Sequence, residues 1–121
     1  MVQHVFVSTN PPYVPTRLRF EPNGPELDVT GLIDTGFEGF VSLPPLRLPE
    51  EVQPVQSRYL QMADGTVTQV DIYRASAQLI GLEPVLPVSI TVGSREVLIG
   101  LAFTNNFRVT FDHGREVMVE P

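Results

Sequence analysis

The most informative stretch of this sequence is Gly31-Leu32-Ile33-Asp34-Thr35-Gly36, with Phe40-Val41-Ser42-Leu43 shortly after it. An apolar strand runs into Asp34-Thr35-Gly36 and an alternating strand leaves it, and Asp and Gly both favour turns. This layout presents one carboxylate, that of Asp34, at the tip of a tight turn. Because the triplet occurs once, an enzyme built on a pair of carboxylates would need two chains.

Length and composition indicate one globular domain. The chain has 121 residues, of which 42% are hydrophobic, so it is long enough to bury one core and too short for two. No apolar run approaches the roughly 20 residues of a membrane span, and the N-terminus lacks the features of a secretory signal. The chain has no cysteine, which excludes disulfides, thiolate catalysis and thiolate metal sites. We predict a single domain over residues 1–121, located in the cytoplasm.

The charged residues argue against nucleic acids and metals. The net charge is −6, and the eight basic residues are arginines scattered singly along the chain. An acidic domain without a basic stripe is a poor binder of nucleic acid. His4 and His113 are far apart and have no ordered set of partners nearby, so we predict neither a metal site nor a Ser-His-Asp arrangement.

The pattern of apolar residues and turn signals predicts an all-β chain. Asn23-Gly24 and Asp64-Gly65 are hairpin signals, and short helical segments are predicted at 48–52 and 101–106. Many short strands with frequent turns indicate a closed or sandwiched antiparallel domain. The predicted strands are 2–8, 17–20, 27–33, 40–43, 58–62, 66–73, 76–80, 87–92, 96–99, 107–111 and 116–119.

Two further motifs follow the Asp-Thr-Gly triplet in order. Gln61-Met62-Ala63-Asp64-Gly65-Thr66 reads as a flap-like hairpin, and Leu98-Ile99-Gly100 places two apolar residues before a glycine near the C-terminus. With Leu32-Ile33-Asp34-Thr35-Gly36, they make residues 15 to 120 resemble the retropepsin-like aspartic proteases, in particular the small single-domain bacterial forms. The resemblance implies an acid-protease-like closed β barrel of a single lobe, with one short C-terminal helix.

The resemblance also implies an aspartic endopeptidase that acts as a homodimer. Two carboxyls in contact share one proton, so the ionised one activates a water and the protonated one donates to the scissile carbonyl. Asp34 of each chain would supply one carboxyl, the Thr35 hydroxyl would bond across the dimer, and Gly36 would leave room for the substrate backbone. The implied partners are a peptide or protein substrate and a second copy of the chain, and no metal or organic cofactor is implied.

Substrate contacts are assigned by the same resemblance. The hairpin would close over an extended peptide and donate backbone hydrogen bonds, with Asp64 and Gly65 at its tip. Glu38 would contact the substrate backbone. The pocket walls would be Phe37, Val41, Met62 and Ile99, and Ala63 belongs to the part of the hairpin that covers the substrate.

The chain departs from the family pattern at three positions. Leu101 stands where retroviral enzymes carry a basic residue that braces the acid near the catalytic turn. Ala102 stands where bacterial relatives often have Asp, and Phe37 replaces the small or hydroxyl residue that commonly follows the triplet.

Three other interpretations remain open from the sequence. The first is a non-catalytic dimerisation or peptide-binding module of the same fold. The second is a β sandwich with an accidental triplet, in a structural or carbohydrate-binding protein. The third is a zymogen-like piece whose partner lies elsewhere. An obligate monomer could not form the pair of carboxyls, so the oligomeric state separates the enzyme from the others.

Overall fold

The computed structural model describes residues 4–7, 11–61 and 63–121, and the described part is almost entirely β. A short 3-10 helix spans Pro45–Arg47, and the single α-helical turn α1 spans Leu101–Thr104. The strands are β1 (His4–Val7), β2 (Tyr13–Phe20), β3 (Glu26–Ile33), β4 (Val41–Leu43), β5 (Gln56–Gln61), β6 (Val67–Leu79), β7 (Leu86–Val92), β8 (Leu98–Ile99), β9 (Arg108–Asp112) and β10 (Glu116–Glu120).

The larger sheet has seven strands in the order β2-β3-β8-β4-β7-β6-β5, and β2 also pairs with β6. The pairings of β2, β3, β8, β4, β7 and β6 therefore run in a complete circuit, and β5 pairs outside that circuit with the first half of β6. Alternation in β2 places Val14, Thr16, Leu18 and Phe20 inward, as expected for a strand with one buried face. Each of these six strands contributes residues to one hydrophobic core.

The smaller sheet joins the two ends of the described chain. The central strand β10 pairs antiparallel with β1 on one side and with β9 on the other. Val117 and Val119 of β10 and Phe6 of β1 are buried and belong to the same hydrophobic core as the larger sheet. The terminal hairpin predicted from the sequence is confirmed, and the pairing of β1 with β10 is an addition from the structure.

The loop that joins β3 to β4 crosses over the end of β8, which lies between these two strands. β8 runs parallel to β3 and antiparallel to β4. The Gly100 N–H donates to the Phe40 carbonyl at 2.9 Å where the loop passes. An added Cβ at Gly100 would lie 2.1 Å from the Gly39 carbonyl oxygen, so the crossing requires a residue without a side chain.

Several predicted strands differ from the structure. Strands predicted at 66–73 and 76–80 form the single strand Val67–Leu79, because its alternating burial continues through Arg74 without a turn. The strand predicted at 96–99 is reduced to Leu98–Ile99, since the Ser94 hydroxyl bonds the Glu96 carbonyl at 2.7 Å and holds a turn there.

The helical segment predicted at 48–52 is a single turn, closed by the Val52 N–H and the Pro49 carbonyl. Leu48 is extended, as expected for a residue before proline, so the 3-10 helix ends at Arg47 and does not continue. The C-terminal helix predicted over 101–106 is confirmed only for Leu101–Thr104. Residues 2, 3, 8 and 62 of the predicted strands lie outside the described residues. Within the described ranges, no helix combines the length and the apolar character needed to cross a membrane.

We predict that Gly100→Ala lowers the free energy of unfolding by at least about 4 kcal/mol. The added methyl would meet the Gly39 carbonyl oxygen, and this oxygen can move only if the whole loop that crosses the end of β8 moves with it. The matched control is Gly31→Ala, whose methyl would have three side-chain atoms as its nearest neighbours: Ile99 Cγ1 at 2.6 Å, Ile99 Cδ1 at 2.8 Å and Val97 Cγ1 at 3.4 Å. Because side chains can shift, this variant should cost about 1 to 3 kcal/mol. Urea unfolding at one fixed protein concentration measures both. If the two variants lose equal amounts of unfolding free energy, the close approach of the loop to Gly100 is contradicted.

Candidate active site

Asp34 is the first residue after β3, and the core fixes its main chain. Ile33 pairs with Ile99 in the parallel ladder between β3 and β8, so Asp34 and Gly100 follow at the ends of two neighbouring strands. The Asp34 N–H donates to the Ile99 carbonyl at 2.9 Å. Two parallel strands therefore determine where this carboxyl group leaves the sheet.

The turn after Asp34 closes around its carboxyl group. The Gly36 N–H donates to Asp34 Oδ1 at 2.8 Å, and the Phe37 N–H donates to the Asp34 carbonyl at 3.1 Å. Asp34 is half-buried, while Thr35 and Gly36 are exposed. The backbone thus holds one carboxyl oxygen in place, and the tip of the turn lies at the surface.

Thr35 and Glu38 project from this loop into solvent. Both residues are exposed, and neither side chain has a hydrogen bond or ion pair within the described part of the chain. Their polar groups are therefore available to a substrate or a second chain.

The loop is also joined to α1 by backbone hydrogen bonds. The Leu101 N–H donates to the Phe37 carbonyl at 2.9 Å, and the Ala102 N–H donates to the Gly39 carbonyl at 3.2 Å. With the bond from Gly100 to Phe40, three consecutive amides at the start of α1 face this loop. The end of β8 and the loop are consequently joined over three consecutive residues.

A polar network that sequence reasoning missed supports the segment before β8. The buried Ser42 hydroxyl donates to Ser94 Oγ at 2.8 Å, and Ser94 donates to the Glu96 carbonyl. The Tyr13 hydroxyl donates to Glu96 Oε1 at 2.9 Å, and this bond raises the pKa of Tyr13. The partners lie 52 and 83 residues apart in sequence, so no local signal could have found them.

The outer hairpin, which consists of β5 and residues 67–70 of β6, extends away from the core. Every residue of β5 is exposed, and Tyr59 and Val67 expose 72% and 64% of their surface. At the tip, Asp64 Oδ1 accepts the Thr66 N–H at 3.0 Å and the Thr66 hydroxyl at 2.6 Å. Gly65 has φ of +90°, a conformation that favours glycine. The turn is therefore well formed although the hairpin packs against little.

The predicted site residues fall into three groups. Asp34, Thr35, Gly36 and Phe37 share one turn, and Glu38 follows in the same loop. Ala63, Asp64 and Gly65 lie at the tip of the outer hairpin, with no hydrogen bond to that turn among the described residues. Met62 lies outside the described residues.

Ile99 and Val41 belong to the hydrophobic core. Each is 1% exposed, and the Ile99 side chain lies against Gly31. A substrate could not reach either side chain, so we leave both out of the proposed substrate contacts. Within residues 4–7, 11–61 and 63–121, no three His, Cys, Asp or Glu side chains lie close enough together to hold a metal ion.

The fold is similar to that of two solved proteases. Against a retropepsin-like aspartic protease from Rickettsia conorii the TM-score is 0.59 at 12% sequence identity, over 98% of this chain and 90% of that one. Against the simian foamy virus (mac) protease it is 0.53 at 15% identity, over 75% of this chain and 91% of that one. No protein-family model and no curated protein sequence matches the chain. The chain has a retropepsin-like fold.

We predict that the stability of the turn at the tip of the outer hairpin depends on the negative charge of Asp64. Its hydrogen bonds with Thr66, the hydroxyl bond first, lower the pKa of Asp64 from its ordinary value of 3.8. For a lowered pKa, the stabilising contribution is complete above the ordinary value and is lost as the pH falls through the folded-state pKa. The amide shift of Thr66, followed by NMR, should titrate with a midpoint below 3.8.

The control for this titration is Asp64→Asn, which keeps an oxygen acceptor for the Thr66 N–H and removes the ionisable group. Its Thr66 amide should show no such titration. A wild-type midpoint at or above 3.8 would contradict the assigned hydrogen bonds.

Proposed function

We propose that this chain is an aspartic endopeptidase that acts as a homodimer and hydrolyses peptide bonds with a water held between two Asp34 carboxyls. The observation that carries the proposal is the Asp34 turn: a carboxyl held by the Gly36 N–H at the surface end of a buried strand, in a retropepsin-like fold. A single chain supplies one such carboxyl. The symmetric dimer is therefore part of the proposal, because it makes the active site at the interface.

The chemistry follows from placing two carboxyls in contact. They cannot both be ionised, so they share one proton. The ionised carboxyl takes a proton from water as the water oxygen attacks the scissile carbonyl carbon, and the protonated carboxyl gives its proton to the carbonyl oxygen. The tetrahedral intermediate then collapses and the C–N bond breaks. The leaving nitrogen takes the proton that the first carboxyl received from water, and one hydroxyl of the intermediate returns its proton to the second carboxyl. No metal or organic cofactor enters these steps.

The exposed residues around the turn fit a role between two chains and a substrate. In the proposed dimer, the free Thr35 hydroxyl bonds to the partner turn and keeps the two carboxyls in one plane. Glu38 contacts the substrate backbone, and Gly36 leaves space for it.

The outer hairpin is proposed to act as the flap. Its exposed apolar side chains, Tyr59 and Val67, would lose contact with water when the hairpin closes over an extended peptide. Met62, Ala63, Asp64 and Gly65 would then cover the substrate. Since an extended peptide pairs through its main chain, specificity would come from side-chain pockets.

In the proposed enzyme, residues 1–121 form a single domain whose larger sheet closes into a β barrel. The complete circuit of six strand pairings supports the barrel. A non-catalytic dimerisation or peptide-binding module would have the same fold and dimer, and it would differ only in lacking hydrolysis. The experiment that tests the enzyme therefore also tests this alternative.

The test is cleavage of a mixed peptide library from pH 3 to 8, followed by mass spectrometry. We predict cleavage by the wild type and a loss on the order of 10³-fold or more for Asp34→Asn, because Asn can neither take nor give the proton. Asn can still accept the Gly36 N–H, so the free energy of unfolding should change by less than about 1 kcal/mol.

The matched control is Asp28→Asn, on the same strand. Asp28 is exposed and paired with Arg17 at 2.9 Å, and a surface ion pair of this kind contributes little to stability because solvent screens it. This variant should cleave like the wild type. Absence of cleavage by a folded wild-type dimer at every pH would contradict the enzyme and favour the binding module.

A further inference from the structure

Phe37 connects the Asp34 turn to the end of β8 through its backbone. Its N–H donates to the Asp34 carbonyl at 3.1 Å, and its own carbonyl accepts the Leu101 N–H at 2.9 Å. The first bond closes the turn that carries the carboxyl, and the second attaches that turn to α1. The position of Phe37 therefore bears directly on the position of Asp34.

The Phe37 ring lies against two residues without side chains. A Cβ added at Gly39 would be 2.6 Å from Phe37 Cζ and 2.8 Å from Cε1, and a Cβ added at Gly100 would be 2.7 Å from Cδ2. The ring thus occupies the space that a side chain at either glycine would fill. It packs between the loop and the end of β8 at the crossing, and Phe37 is half-buried there.

We infer that Phe37 is a positioning residue for Asp34. Its ring fixes the distance between the Asp34 turn and the end of β8 by apolar packing, and so it sets where the carboxyl is presented to the substrate and to the partner chain. This inference rests on the proposed function of Asp34. It differs from the sequence-based prediction of Phe37 as a wall of a substrate pocket, since here the ring acts on the carboxyl and not on substrate side chains.

The two roles predict different kinetics for Phe37→Ala. A positioning residue affects the reacting geometry, so kcat should fall about 10- to 100-fold with KM changed less than about twofold. A pocket wall affects binding, so KM and the preferred substrate side chain should change while kcat is kept. Rates are measured on a peptide identified from the library and normalised to the folded fraction, and Phe37→Leu, which keeps part of the packing, should have an intermediate kcat.

A double-variant comparison tests the location of the ring. At Gly39 the three nearest atoms to an added Cβ all belong to the Phe37 ring, the third at 3.5 Å. Gly39→Ala should therefore lower kcat in the wild type, where it displaces the ring, and raise kcat about three-fold or more in Phe37→Ala, where it fills part of the vacated space. The control is Gly100→Ala, whose clash with the Gly39 oxygen persists without the ring, so Phe37→Ala should not rescue it.

A readout that does not need activity keeps this inference separate from the proposed function. The Asp34 and Leu101 amides bond to Ile99 and Phe37 across the crossing, and their hydrogen exchange should be about ten-fold faster or more in Phe37→Ala. Exchange at Ala77, in the core ladder between β2 and β6, should stay unchanged. If the wild type cleaves nothing while exchange is faster in Phe37→Ala, the enzyme is refuted and the effect of the ring on the Asp34 turn stands. Unchanged exchange at both amides, or a change in KM alone, would overturn the inference.

Discussion

The crossing of the loop 34–40 over the end of β8 is the constraint on which the site depends. β3 and β4 lie on either side of β8, so the chain must pass over the end of β8 to join them. It can do so only because Gly100 has no side chain, and three consecutive amides from Gly100 onward then bond the passing loop. Asp34 stands at the start of this loop, and the packing of the whole core therefore determines where its carboxyl lies.

The residues beneath the crossing are tightly packed, whereas those of the outer hairpin are not. Val41 and Ile99, directly beneath the crossing, are 1% exposed, whereas every residue of β5 in the outer hairpin is exposed. Few buried contacts and a turn held by local hydrogen bonds are the properties of a segment that moves at low cost. In the proposed enzyme, a carboxyl held by backbone hydrogen bonds and a loosely held hairpin would allow the site to open and close over a peptide.

Several turns of the structure could be predicted from residues that are adjacent in sequence. The Asp34 turn, the Asp64-Gly65 tip and the terminal hairpin each follow from residues adjacent in sequence, and all three turns are present. The continuous strand Val67–Leu79, the bond between Ser42 and Ser94, and the Phe37 ring against Gly39 and Gly100 were not predicted. Each of these depends on tertiary packing: neighbouring strands keep β6 extended, and the crossing brings residues 37 and 100 together. The sequence predicts Phe37 as a wall of a substrate pocket, and only the structure shows that Gly39 and Gly100 lie beside its ring.

A subunit-mixing experiment tests most directly whether one active site uses two copies of Asp34. Wild-type and Asp34→Asn chains are refolded together in varying ratios at constant total concentration, and peptide cleavage is measured at each ratio. If both carboxyls are needed, activity follows the square of the wild-type fraction, so an equal mixture keeps about a quarter of the wild-type rate. A linear decrease, to about half at the equal mixture, would show that each chain works alone and would contradict an active site shared by two copies of Asp34.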